Sequence, residues 1–255
     1  YGSAAAAELY DMDWLQLHIG DADVQIRSLT NDQTILVLAG PRAREIMQKV
    51  SRADWSKEAF PWLSVRECFI GFAPATVMSV SFSGEMAYEI HVPNQCLYNA
   101  YLTLRDAGVG HFFGASAIES MRMEKGYLHW KADLITEFDP FETGVGRFVN
   151  MDKPDFVGKA ALAQRIADGP RKTRVTLVLD STDAPARGGA SVMQDGRVVG
   201  TISSGDWGHR VEQNLAYAFV DPNLQGQITV DILGELVPAL VIPDGPYDPE
   251  NTLVR

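Results

Sequence analysis

Met78-Ser79-Val80-Ser81-Phe82-Ser83-Gly84-Glu85-Met86-Ala87-Tyr88-Glu89-Ile90-His91 is the stretch from which the fold is read. Its first half alternates, with Val77, Ser79 and Ser81 on one side and Met78, Val80 and Phe82 on the other, the two-residue period of a strand. Ser83-Gly84 breaks that strand as a turn, and residues 87–92 resume a strand that ends at Pro93. Glu85 at the turn and Glu89 on the returning strand sit among Phe82, Tyr88 and aliphatic side chains. A carboxylate in such company costs free energy to desolvate unless a donor meets it. Residue types alone leave two readings open. In one, this is a structural turn whose glutamates face water. In the other, one carboxylate accepts paired, charge-assisted hydrogen bonds from a planar ligand with adjacent N–H groups, which gives strength and orientation together.

Upstream of the hairpin, Ser3 is placed to cap a helix whose Leu9, Met12, Leu15 and Ile19 follow helical spacing up to Gly20. Residues 23–28 alternate as a short strand, and residues 34–39 read as a buried strand because their apolar run is unbroken. Gly40-Pro41 opens a helix with Ala43, Ile46, Met47 and Val50 on one face. Residues 54–60 read as a short helix or loop, and residues 65–71 and 75–82 as a strand pair with Pro74 between them. Helices over 94–107, 115–125 and 160–166 follow, and Gly169-Pro170-Arg171-Lys172 has the composition of a linker. Beyond it, residues 174–179, 191–194, 197–203, 215–220, 227–232 and 236–241 are short alternating strands, with hairpin signals at Asp195-Gly196 and Gly234-Glu235. That texture predicts a small antiparallel barrel or sandwich. Strand, Gly-Pro and helix in succession fit a layered α/β or α+β arrangement.

The 255 residues carry a net charge of −11, which repels nucleic-acid phosphates and anionic lipid. Neither nucleic acid nor membrane is an expected partner, and no apolar run is long enough for a membrane span. Cys68 and Cys96 match no zinc spacing and read as free thiols of a cytoplasmic protein. Residues 1–9 are small and acidic, unlike a signal peptide. The chain starts at Tyr1 with no Met and is expected to begin inside a longer protein.

Other constellations carry less chemistry. Arg122, in Met121-Arg122-Met123-Glu124-Lys125, is a candidate for an anionic group, with a solvated or intrahelical ion pair as the plainer reading. Gly144-Val145-Gly146 lacks the third glycine and the preceding strand of a dinucleotide fingerprint. Ser203-Ser204-Gly205-Asp206-Trp207-Gly208-His209 reads as a loop between barrel strands, with polar and aromatic groups able to line a pocket. His18, His111 and His129 show no metal spacing, so no metal is assigned.

Several motifs in order resemble one family. They are Ala39-Gly40-Pro41-Arg42-Ala43, Phe82-Ser83-Gly84-Glu85 with Tyr88-Glu89, Met121-Arg122-Met123-Glu124-Lys125, Asp155-Phe156-Val157-Gly158-Lys159, Asp195-Gly196-Arg197-Val198-Val199-Gly200, Ser203-Ser204-Gly205 and Leu215-Ala216-Tyr217-Ala218-Phe219-Val220. Together they are similar to the folate-binding aminomethyltransferases typified by the glycine cleavage T-protein. The nearer resemblance is to the C-terminal region of dimethylglycine and sarcosine dehydrogenases.

The resemblance implies a cloverleaf of domains around tetrahydrofolate. Residues 1–30 would end a truncated N-terminal folate-binding subdomain, 31–168 form the central α+β folate-binding domain, and 174–255 a Greek-key barrel. It implies an enzyme that moves a one-carbon unit from an amine or iminium to tetrahydrofolate. Glu89 would bind the pterin, with Glu85, Phe82, Tyr88, Ile90, His91, Arg147 and Arg122 as further folate contacts. Phe82 and Arg147 stand where relatives often carry tyrosine. No catalytic residue is assigned, because the family's assisting aspartate belongs to a segment that would precede Tyr1. FAD would belong to a preceding flavin dehydrogenase domain, in cis or trans, that supplies the amine-derived iminium. A folate-binding assembly or regulatory module without catalysis, and a folate-dependent demethylase of another methylated substrate, are the rival functions.

Overall fold

The computed structural model describes residues 1–255, which form two units. The first comprises residues 1–38, 42–79 and 88–110, and the second residues 39–41, 80–87 and 111–255.

The first unit is built from α1 (Glu8–His18), β1 (Gln33–Ala39), α2 (Ala43–Val50), β2 (Val65–Ile70), β3 (Ala73–Met78), β4 (Ala87–Pro93) and α3 (Leu97–Asp106). The strands form one sheet in the order β1-β4-β3-β2, with the β2–β3 and β3–β4 pairs antiparallel. On β4, Tyr88, Ile90 and Val92 are fully buried, whereas Glu89 and His91 alternate to the other face. α2 buries the four residues expected of it. Residues 54–60 are irregular, yet they supply Trp55 and Phe60 to the core, edge to face at 4.9 Å, with Tyr88 at 5.6 Å from Trp55. Arg66 covers both rings and donates to the Ala59 carbonyl at 2.7 Å and to that of Asp54. Each aromatic so buried contributes roughly 1.5–3 kcal/mol by area.

Four local expectations are corrected here. Ser3 does not cap α1, which follows a short 3-10 turn at Ala5–Ala7. Residues 23–28 alternate but meet no neighbouring strand, so no sheet forms there. β1 is not buried on both faces: it is an edge strand, and Ile35 and Val37 are about half exposed. β3 stops at Met78, and Pro74 lies inside it opposite Phe69.

The second unit contains α4 (Ala115–Lys125), α5 (Lys159–Asp168), β5 (Thr173–Leu179), β6 (Ser191–Gln194), β7 (Arg197–Gly208), β8 (Gln213–Val220), β9 (Ile228–Ile232) and β10 (Glu235–Ile242). The six strands close into an antiparallel barrel in the order β10-β5-β8-β7-β6-β9. Leu177, Val192, Ile202, Ala216, Ala218 and Val230 fill its core. β8 is covered on both faces. Leu215 and Tyr217 pack on Met123 of α4, and Phe219 stacks on Phe138 at 3.9 Å. That double burial explains its continuous apolar sequence. No helix is long and apolar enough to cross a membrane.

Residues 203–208 are not a loop. They continue β7 past a bulge between Ile202 and Ser204. Gly205 is required there, because a Cβ would stand 2.1 Å from the Ala186 carbonyl oxygen. The segment with linker composition is also pinned. Arg171 donates two side-chain N–H groups and its backbone N–H to the buried Glu142 carboxylate, at 2.7–3.0 Å. Those bonds from Arg171 hold the Glu142 carboxyl at a pKa of about 2, against the opposing pull of burial. A carboxyl depressed from 4.5 stabilises the fold above its unfolded pKa, and that contribution is lost as pH falls from 4.5 through about 2. The difference corresponds to roughly 3 kcal/mol. Glu142→Gln is therefore expected to lower the urea midpoint at pH 7 and to flatten its decline between pH 5 and pH 3.

Candidate functional site

The outer face of the first unit's sheet carries Glu89 in a cross-strand row with Met78 and Val65, beside a second row of His91, Thr76 and Glu67. The Glu89 side chain is 37% exposed and accepts no hydrogen bond from the chain; the one basic side chain at ion-pair distance is His91, with Nε2 at 3.5 Å. His91 Nε2 is itself buried without a hydrogen-bond partner. A carboxylate between apolar neighbours and an imidazole, with both oxygens open to donors, has unspent acceptor capacity. Tyr88 and Ile90 lie behind this face, fully buried in the core, and offer a ligand no surface. Burial raises the Tyr88 pKa, with Arg44 acting in the opposite direction.

In the second unit, the turn before β4 is locked. Gly84 N–H donates to Ser81 Oγ at 3.1 Å, and Glu85 N–H to Ser83 Oγ at 3.3 Å. Gly84 has φ +80°, and a Cβ there would sit 2.9 Å from Lys125 Cγ, so both backbone and space demand glycine. Glu85 is engaged internally. Its Oε1 accepts from Arg210 Nη1 at 2.9 Å and from the Tyr247 hydroxyl at 2.6 Å. Phe82 lies parallel to the half-buried Tyr127, centroids 6.2 Å apart.

Arg122 is neither solvated nor paired only within its helix. Nε and Nη2 donate to Glu119, Nη1 to the Tyr127 carbonyl and to Asp133 at 2.7 Å, and Nη2 also to Ser204 at 2.8 Å. A guanidinium has five N–H donors, and all five are used. Nothing remains for a ligand. Asp133, fully buried, also accepts from the Ser203 and Ser204 hydroxyls and the His129 N–H. The Ser203-Ser204 pair thus serves the ion pair rather than a pocket. Arg147 is the contrasting case. It is exposed, it has one long bond to the Gly144 carbonyl at 3.5 Å, and it borders a hollow of about 140 Å³ with Lys125, Tyr127, Asp244, Asp248 and Asn251.

Sequence reasoning missed Asp133, Arg210 and the role of Tyr247. Arg210 and Tyr247 meet Glu85 from 125 and 162 residues away, and Asp133 meets Arg122 from 11 residues away across a helix end, so no local spacing signals these pairs.

Residues 1–153 match the GCVT N-terminal domain, and residues 172–248 match the glycine cleavage T-protein C-terminal barrel domain. The chain belongs to the glycine cleavage T-protein family. It is 31% identical over 252 residues to mitochondrial dimethylglycine dehydrogenase of Homo sapiens, a match covering 95% of this chain and 29% of that protein. It is 29% identical over 248 residues to an aminomethyltransferase of Synechococcus, covering 94% of this chain and 65% of that one. The chain therefore spans less than a third of the dehydrogenase. The crystal structure of the glycine cleavage system aminomethyltransferase T from Bartonella henselae shares the fold, with a TM-score of 0.84 at 21% identity over 96% of this chain and 67% of that one.

The consumed donors of Arg122 define a test of its role. Arg122→Met removes the only cation from a fully buried Asp133, and breaking a buried pair from one side costs about 3–5 kcal/mol. Chemical denaturation is expected to register a loss of that order.

Proposed function

We propose that this chain is a tetrahydrofolate-binding, one-carbon-transferring part of an amine-oxidising enzyme of the dimethylglycine and sarcosine dehydrogenase type. One observation carries the reading: Glu89 accepts no hydrogen bond from the chain on an accessible sheet face, with only His91 beside it, while Glu85 and Glu142 are hydrogen-bonded within the chain. The edge of a pterin presents adjacent N–H donors in one plane, and two parallel bonds to a carboxylate fix its position and its rotation. The residues present fit that group. The buried Nε2 of His91, which has no hydrogen-bond partner, stands 3.5 Å from that carboxylate.

Tetrahydrofolate would supply the nucleophilic nitrogen that takes up a formaldehyde-level carbon from an iminium, the C–N bond to the original amine breaking so that the demethylated amine leaves. The contribution of the chain is orientation, which replaces a bimolecular encounter by a positioned one. FAD chemistry belongs to a separate flavin domain that delivers the iminium. No residue here is assigned a proton-transfer role. Arg147, with most of its donors free, is the cation of the second unit suited to an anionic group.

Glu89→Ala is expected to weaken tetrahydrofolate binding by about 1.5–3 kcal/mol, the scale of hydrogen bonds to a charged group. Titration calorimetry or fluorescence quenching of the chain measures it, and unchanged affinity would remove Glu89 from the site. Binding without formation of methylene-tetrahydrofolate, even beside a flavin dehydrogenase and its amine, would identify a binding module instead.

A further inference from the structure

We infer that His91 acts through Glu89 as its proton partner: a ligand whose N–H groups cover the Glu89 carboxylate draws a proton from solvent onto the His91 imidazole. The inference rests on the reading of Glu89 given above. The two side chains lie on one face of β4, two residues apart, with His91 Nε2 3.5 Å from Glu89 Oε2. Other charges are kept away from the pair. β1 reads Gln-Thr-Ile-Leu-Val-Leu-Ala and β3 Ala-Pro-Ala-Thr-Val-Met, so the strands on either side of β4 carry no ionisable side chain. On β2, Glu67 stands across Thr76 from His91, and Arg66 and Cys68 alternate to the opposite face. Of the helices, α2 has Arg44 on the Trp55 carbonyl, near the buried Tyr88, and Glu45 paired with Lys49; α3 has Arg105 paired with Asp106.

Without a ligand, water reaches the 37% exposed Glu89 carboxylate and screens its charge. A flat ligand laid on it removes that water and supplies N–H groups that carry no full charge. The attraction between the carboxylate and a cation at the same distance then grows, because it scales inversely with the local dielectric. His91 is placed to supply the cation. Its side chain is only 17% exposed and Nε2 is buried before any ligand arrives, so most of the desolvation that opposes an imidazolium is already incurred. The ligand thus strengthens what favours the proton more than what opposes it. Coupling between two binding events is reciprocal, so a ligand that tightens proton binding is itself held more tightly when protons are available. Affinity therefore rises as pH falls through the range where imidazole titrates, and drops again once Glu89 itself is protonated.

Titration calorimetry of the full chain with tetrahydrofolate at pH 7, in buffers of different ionisation heat, counts the protons exchanged on binding. The unmodified chain is expected to take up a fraction of one proton per ligand and to bind about three- to tenfold more tightly at pH 6 than at pH 8. His91→Gln keeps a polar side chain that does not titrate, and Glu89→Ala removes the charge that attracts the proton. Each is expected to abolish the uptake and to leave less than about a twofold difference between the two pH values. Circular dichroism and a urea midpoint establish that each variant is folded, and Glu89→Ala, at a partly exposed position, decides the matter where His91→Gln does not fold. No uptake by the unmodified chain, affinity that holds or falls from pH 8 to pH 6, or uptake undiminished in either folded variant would overturn the coupling. Weakened affinity in Glu89→Ala with undiminished uptake overturns this inference alone. Unchanged affinity in Glu89→Ala overturns the reading of Glu89 and this inference with it, an outcome recognisable from that single arm.

Discussion

Arg122, Glu124 and Lys125, three charges within four residues at the end of α4, are all buried. Removing an ion from water costs several kcal/mol unless a partner and further hydrogen bonds compensate. Each of the three is met by a different segment of the second unit. Arg122 holds Asp133 and Ser204, Glu124 accepts from Arg210 and the Val211 N–H, and Lys125 donates to the Asp248 carboxylate and carbonyl. The tail is drawn in further by the Tyr247 N–H, which donates to the Glu124 carbonyl at 2.9 Å. Tyr217 of β8 donates its hydroxyl to the Met123 carbonyl at 2.8 Å, so barrel, tail and turn all converge on one helix end. Burial pushes the Asp248 carboxyl up, but the bonds from Lys125, Thr252 and Leu253 overcome it and the net shift is downward. The helix end acts as a hub, since all three of its charges are met by segments distant along the chain.

That hub was the least legible part of the sequence. A helix with Arg, Glu and Lys in succession reads as a solvated face, because charge in a local window is the usual mark of exposure. What buries these residues lies 82 residues away at Ser204, 86 at Arg210 and 123 at Asp248. Elements whose burial is set by their own period were legible: the amphipathic face of α2, the returning strand of the hairpin and all six barrel strands. Where context decides, the pattern misled. Residues 34–39 have the apolar run of a fully covered strand, yet β1 lies at a sheet edge. Residues 203–208 carry the polar small residues of a loop, yet those side chains serve a buried ion pair and a close backbone approach.

The candidate site shows the same division. The alternation of residues 87–92 was readable, and with it the existence of two faces. Which face is covered was not, and that is what separates Glu89 and His91 from Tyr88 and Ile90. Glu85 and Glu89 look equivalent in sequence, two acids flanking one short apolar segment. Their environments differ because Arg210 and Tyr247 reach the first and leave the second. The family relation gives the arrangement its context, and the unequal engagement of the two carboxylates gives it a direction.

The first unit's sheet has a further bearing on how the chain behaves when handled alone. β1 and β2 are its margins, each with a run of backbone amides that has no neighbour on one side, and Ile35, Val37, Val65 and Phe69 stand about half exposed or more along them. Such margins are templates for stacking one molecule on another. The net charge of −11 opposes that encounter at neutral pH, since like-charged molecules repel over a Debye length of about 8 Å. Mild acid titrates that repulsion away while leaving the apolar margins in place, so colloidal stability and conformational stability of this chain decline for separate reasons on the same side of neutrality.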